Sequence, residues 1–99
     1  MTDKERIEIL KKAKRRIEVG VETYICNAIT YELKKRRYCI FSKDEYGRDI
    51  DRVMRIFPEL KKLRPKGKGV HDGRGWWNFT EDRINAVNSM ITEIKDNGI

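Results

Sequence analysis

The residues best suited to chemistry lie in one segment, from Arg64 to Trp77, which reads RPKGKGVHDGRGWW. This segment contains four of the seven glycines, both tryptophans, the only histidine and several lysines and arginines. Glycines let backbone amides approach a ligand, cationic side chains attract anions, and an indole ring offers a flat stacking face. The combination predicts a site for an anionic, nucleotide-like ligand.

The glycine spacing by itself is weak evidence for such a site. It matches neither a Walker motif nor a dinucleotide-binding fingerprint, so a flexible, solvated connection remains the stronger interpretation of the glycines and lysines alone. The two adjacent tryptophans favour binding. We expect one of them to pack in the core and the other either to stack on a base or to contact a partner protein. The predicted ligand-binding residues are cationic or aromatic: Lys66, Lys68, His71, Arg74, Trp76, Trp77 and Arg83.

Arg83 is included because it lies in the first turn of a predicted helix, where the helix dipole disfavours a cation. We expect it either to pair with a carboxylate of another helix or to face the ligand beside the tryptophans. His71 and Asp72 are the nearest approach to a catalytic pair, but adjacent side chains seldom make a useful hydrogen bond. No nucleophile accompanies them. The chain is therefore expected to be no enzyme, with no catalytic residue and no cofactor.

The cysteines point to structural rather than metal-binding roles. Two thiols, Cys26 and Cys39, together with a single histidine form neither a disulfide framework nor a zinc site. We predict buried or half-buried free thiols and no metal site.

Composition limits the class of partner. The chain has 99 residues, a net charge of +7, 38% hydrophobic and 39% charged residues. A single small domain with so few apolar residues would gain from association, so a homo-oligomer is expected. The positive charge favours an anionic small molecule or nucleotide, with nucleic acid or a host protein as alternatives. The sequence has no apolar run of membrane-spanning length and no signal peptide, so we expect no membrane partner and a cytoplasmic location.

The elements that must position these residues are predicted to be helices. Apolar periodicity indicates a mainly α domain of about four helices, with one long Gly/Lys-rich loop before the last helix. The whole chain, 1–99, is expected to form one domain. It comprises a charged N-terminal helix at 1–20 and a helical core at 23–97 that carries the loop at 64–77. The predicted helices span 3–19, 23–37, 43–57 and 80–97, with a helical turn at 58–63 and, as an alternative, a short strand at 38–41.

The order of several short motifs resembles the small uncharacterised proteins common in tailed phages and prophages. The resemblance covers roughly residues 23–94, and the chain departs from it in its charged N-terminal helix and its more basic loop. Each motif is weak, but their order is moderately specific. The matching residues are Ile25-Cys26 with Ile29, Arg64-Pro65, Trp76-Trp77, Arg83-Ile84, Val87 and Ile91.

The resemblance brings no catalytic residues with it. It implies a phage accessory protein that blunts a bacterial defence by binding, within the host cytoplasm. The leading hypothesis is therefore a non-enzymatic protein that holds an anionic, nucleotide-like ligand. The alternatives are a nucleic-acid-binding module and a protein inhibitor of a host factor.

Overall fold

A computed structural model describes residues 1–36, 46–69 and 75–98 of the chain, without the side chains of 46–49 and 98. Five helices occur in this part: α1 (Asp3–Glu18), α2 (Ile25–Lys35), α3 (Tyr46–Ile56), α4 (Pro58–Lys62) and α5 (Thr80–Gly98). The prediction of a small, mainly α domain is confirmed, and the described residues contain no strand. The alternative strand at 38–41 and the predicted start of the third helix lie outside the described residues.

Local sequence signals set the ends of α1. The Thr2 hydroxyl oxygen accepts a hydrogen bond from the Glu5 amide, and the Thr2 amide donates one to the Glu5 carboxylate, which completes a capping box. At the other end Gly20 adopts a positive φ of 79°, a conformation that suits glycine and stops the helix. Both ends of α1 are therefore determined by residues next to the helix in sequence.

α1 packs against both α2 and α5, and α4 packs against α3 and α5. α1 therefore belongs to the core despite its high charge, because four of its apolar side chains are buried and Ile7 is partly buried. The stripes predicted for α2, α3 and α5 also form the core. The residues buried at the centre include Ile9, Leu10, Ala13, Ile17, Ile25, Ile29, Leu33, Val53, Phe57, Leu60, Val87, Met90 and Ile94.

The third predicted helix ends at a corner, so the described part has five helices rather than four. Phe57 leaves the helical conformation, with φ −122° and ψ 72°, and Pro58 starts α4. Proline is favoured at a first helical position because the amide it lacks would have no partner there. The Phe57 ring is fully buried beneath this corner.

Arg6 joins α1 to the corner. Its guanidinium donates hydrogen bonds to both carboxylate oxygens of Glu59, while its Nε donates to the Ile56 carbonyl at 3.2 Å. The same group lies 5.5 Å from the centre of the Phe57 ring. Because the side chains of Arg6 and Glu59 are only 13% and 11% exposed, the ion pair is poorly screened by water.

The connection between α4 and α5 is longer than the distance that it must cover. Lys62, the last residue of α4, forms an ion pair with Glu93 in the second half of α5. Thr80, where α5 begins, precedes Glu93 by thirteen residues, which is about 20 Å along a helix. About six extended residues would cover this distance, whereas residues 63–79 separate the two helices. The length of the loop is therefore not a geometric requirement of the fold.

We predict that Arg6→Ala lowers the free energy of unfolding by about 2–4 kcal/mol, because it leaves the Glu59 carboxylate buried without its partner. Urea unfolding followed by circular dichroism measures the loss. Arg15→Ala, on the exposed side of α1, is the matched control and should change stability by less than about 0.5 kcal/mol. Arg6→Met combined with Glu59→Leu should cost less than Arg6→Ala. A loss as large in the double variant would contradict the role of the unpaired carboxylate.

Candidate functional site

Trp76 closes the base of the Gly/Lys-rich loop from inside the core. Its ring is only 4% exposed, and its Nε1 donates a hydrogen bond to the Gly69 carbonyl at 3.0 Å. The expectation that one tryptophan packs in the core is therefore confirmed. The inclusion of Trp76 among the ligand-contacting residues is corrected, because a ring buried to this extent offers no face for stacking.

Trp77 lies beside it and is half-buried. The two indole rings meet edge to face, with centroids 5.6 Å apart and planes at 75°. Such an arrangement places the positive edge of one ring against the negative face of the other. Trp77 is therefore held by Trp76 and remains partly accessible to a ligand.

Arg83 fixes the backbone next to this pair. It is 7% exposed, and its Nη2 donates a hydrogen bond of 2.7 Å to the Trp77 carbonyl. Its guanidinium lies 5.4 Å from the centre of the Tyr24 ring, just before α2. Among the described residues its Nε has no hydrogen-bond partner.

The described partner of Arg83 is a backbone carbonyl, whereas the sequence suggested a carboxylate or a ligand. The chain from Trp77 enters the first turn of α5, so the arginine reaches back to a carbonyl that precedes the helix. A buried guanidinium arranged in this way positions the tryptophan segment. Arg83 lies beside the tryptophans, which is the position that the ligand-facing alternative predicted.

Lys66 and Lys68 are both exposed on a tight turn before the loop closes. The Lys68 amide donates to the Pro65 carbonyl at 3.1 Å, and Gly67 at the third position has a φ of 85°. A β-turn with positive φ at that position strongly favours glycine. The turn therefore directs two cations toward solvent immediately before Gly69.

Phe79 is the functional candidate that the sequence analysis missed. It is 69% exposed, the most exposed of the large hydrophobic side chains described. The sequence carried no signal for this exposure, because at 100° per residue Phe79 lies only about 20° around the helix axis from Met90, which is buried. Two accessible aromatic side chains, Trp77 and Phe79, therefore lie two residues apart in sequence just before α5, and we call them the aromatic pair.

One hydrogen bond brings the lysine turn and this aromatic pair together. Lys68 precedes Gly69, whose carbonyl binds Trp76, and Trp77 follows Trp76. We call Lys66, Lys68, Trp77 and Phe79 the loop surface. His71 and Arg74, the other predicted ligand-binding residues, lie outside the described residues.

The described cysteine and the carboxylates form no alternative centre. Cys26 is a buried free thiol, as predicted, and Cys39 lies outside the described residues. Within the described ranges no cluster of histidine, cysteine or acidic side chains has the geometry to hold a metal ion.

A groove of about 670 Å³ lies between α4 and the second half of α5, away from the loop surface. At its edge Lys62 donates a hydrogen bond to Glu93, and this carboxylate raises the pKa of the Lys62 ammonium. The groove is lined by Lys62, Asn88, Ser89, Thr92, Glu93, Asp96 and Asn97. These hydroxyl, amide and charged groups include no histidine or cysteine.

No protein-family model matches the chain, and comparison with curated proteins and with solved structures gave no match either. None of the helices in the described residues is both long and apolar enough to cross a membrane. The functional argument therefore rests on the geometry and chemistry of this chain's own residues.

We predict that Trp76→Phe lowers the free energy of unfolding by about 1–3 kcal/mol, because the Gly69 carbonyl loses its donor and the smaller ring fills less of the core. Urea unfolding gives the value. Trp77→Phe is the matched control and should cost less, since Trp77 is only half-buried and its Nε1 does not anchor the loop base. Equal losses in the two variants would contradict the tethering role of Trp76.

Proposed function

We propose that this protein binds an anionic, nucleotide-like ligand at the loop surface and performs no catalysis. The observation that carries the proposal is the exposed Phe79 two residues after the half-buried Trp77, on a segment that the Trp76–Gly69 hydrogen bond joins to the turn with two exposed lysines. A side chain this exposed gains little from burial, so folding by itself gives no reason for an aromatic ring at this position. With the lysines of the same loop it suits a ligand with both a flat ring and a negative charge.

Each group of the loop surface has a distinct role in this proposal. Lys66 and Lys68 attract phosphate oxygens, and the exposed amides near Gly67 and Gly69 can add hydrogen bonds. Phe79 and the open face of Trp77 stack on the base, a contact that contributes about 1–3 kcal/mol in comparable sites. Trp76 and Arg83 act from beneath as positioning residues.

The broader biological role is also a proposal. The resemblance to small phage and prophage proteins supports an accessory role in which the protein sequesters a nucleotide signal of a bacterial defence system in the host cytoplasm. A homo-oligomer would supply the concavity that one small open surface lacks, by placing two loop surfaces against each other. His71 and Arg74 would belong to the same site.

We predict that calorimetry with a panel of linear and cyclic nucleotides detects at least one ligand, and that Phe79→Ala weakens its binding about 5- to 100-fold through lost stacking. Lys66→Ala with Lys68→Ala should weaken binding and reduce its dependence on salt. Val21→Ala and Lys61→Ala remove equally exposed side chains elsewhere and serve as controls.

Three outcomes would count against the proposal. They are the absence of heat with every nucleotide of the panel, unchanged affinity in Phe79→Ala, and an equal loss in the controls. Because Phe79 and both lysines are exposed, circular dichroism of the variants should match that of the wild-type protein.

A further inference from the structure

A second cationic surface lies on α1 and the last turn of α2. Its members are exposed or half-buried cations that face away from the core: Lys4, Lys11, Lys12, Arg15, Lys34, Lys35 and Arg36. We call these residues the α1–α2 face. The helix dipole accounts for the three cations at the end of α2, since the effect is confined to the last turn. It does not account for the lysines in the middle of α1.

Contacts between the two helices make this face continuous. Arg36 of α2 forms an ion pair with Glu8 of α1 at 3.2 Å, and Lys12 lies 3.8 Å from the same carboxylate. Glu8 is therefore flanked by two cations, and its negative charge is locally offset. Lys11, four residues before Arg15, faces a like charge along the helix, an arrangement that is mildly destabilising. The face is thus more positive than folding requires.

An aromatic side chain lies along the same helix pair. The Arg16 guanidinium lies 3.6 Å from the centre of the Tyr31 ring, and Tyr31 is 45% exposed. The stack holds the phenol ring in one orientation while leaving part of it open to solvent. Exposed aromatic rings beside cations are what proteins use to stack nucleic-acid bases.

We propose that the α1–α2 face binds the phosphate backbone of a nucleic acid, with Tyr31 stacking on a base at its edge. This surface is distinct from the loop surface. Tyr24, which holds Arg83 near the loop surface, precedes α2, whereas Arg36 follows it. The eleven residues of α2 separate these ends by about 16 Å.

The span of α1 sets how many phosphates can be reached. From Lys4 to Arg15 the helix advances about 16 Å, which corresponds to about five nucleotides of one DNA strand. A contact of this size is electrostatic and should weaken strongly as salt is raised.

An anionic membrane is the less suitable partner. Peripheral helices insert an apolar side into the lipid boundary. The apolar side of α1 is fully occupied by the core, since Ile9, Leu10 and Ala13 are completely buried. Membrane binding is therefore an outcome that the experiment must separate from nucleic-acid binding.

The test measures binding of labelled 20-nucleotide single- and double-stranded DNA and RNA by fluorescence anisotropy between 50 and 200 mM salt. The variant Lys11→Glu with Lys12→Glu and Arg15→Glu reverses three charges of the face. Its control, Arg55→Glu with Lys61→Glu and Lys95→Glu, reverses three exposed cations elsewhere. Each triple variant lowers the net charge from +7 by 6 to +1, so any difference between them reports position rather than total charge.

We expect wild-type binding to at least one of these nucleic acids. The face variant should lose at least tenfold in affinity, with a salt dependence shallower by about 2–3 in logarithmic slope. The control should lose less than threefold. Tyr31→Ala should weaken binding, whereas Tyr31→Phe, which keeps the ring, should restore it.

The proposal is overturned by absence of binding at 50 mM salt, by equal losses in the two triple variants, or by equally tight binding to vesicles of anionic lipid. It does not depend on the loop surface. Phe79→Ala should leave the affinity for nucleic acid unchanged. The face variant should still release heat on binding a nucleotide in the calorimeter. The two proposals can therefore fail separately.

Discussion

The buried ion pair between Arg6 and Glu59 is the contact from which the rest of the arrangement follows. It holds α4 against the N-terminal half of α1, and the Lys62–Glu93 pair holds the end of α4 against the second half of α5. With α4 held at that end, the chain must travel back about 20 Å before α5 can begin. The bond from Trp76 to the Gly69 carbonyl supplies a tether between the start and the end of this connection.

The candidate site is a consequence of this tether. Once Trp76 is buried, its neighbour Trp77 is left at the boundary with solvent, and Arg83 holds the Trp77 carbonyl from below. Phe79, one residue before α5 begins, is 69% exposed. The segment that closes the loop therefore carries two accessible aromatic side chains.

The packing of the helices also explains why positive charge collects on the outer surface of α1 and α2. α1 is shared between two neighbouring helices, so every apolar position on it is used inward and its many cations remain outside. Arg36 and Lys12 offset Glu8, which leaves the outer surface of α1 and α2 positive. Arg36 and the loop-surface contact of Tyr24 lie at opposite ends of α2.

Local patterns in the sequence determined the helices. The capping box at Thr2, the stop at Gly20, the proline at the start of α4 and the apolar stripes act over a few residues, and the structure retains them. Only the tertiary structure decided which aromatic residues are exposed. Trp76, Trp77 and Phe79 are similar in type and close in sequence, and burial separates them: Trp76 lies in the core and bonds to the Gly69 carbonyl, whereas Phe79 is exposed. The pairing of Arg6 with Glu59, and of Arg83 with a carbonyl, likewise joins groups whose proximity depends on how the helices pack.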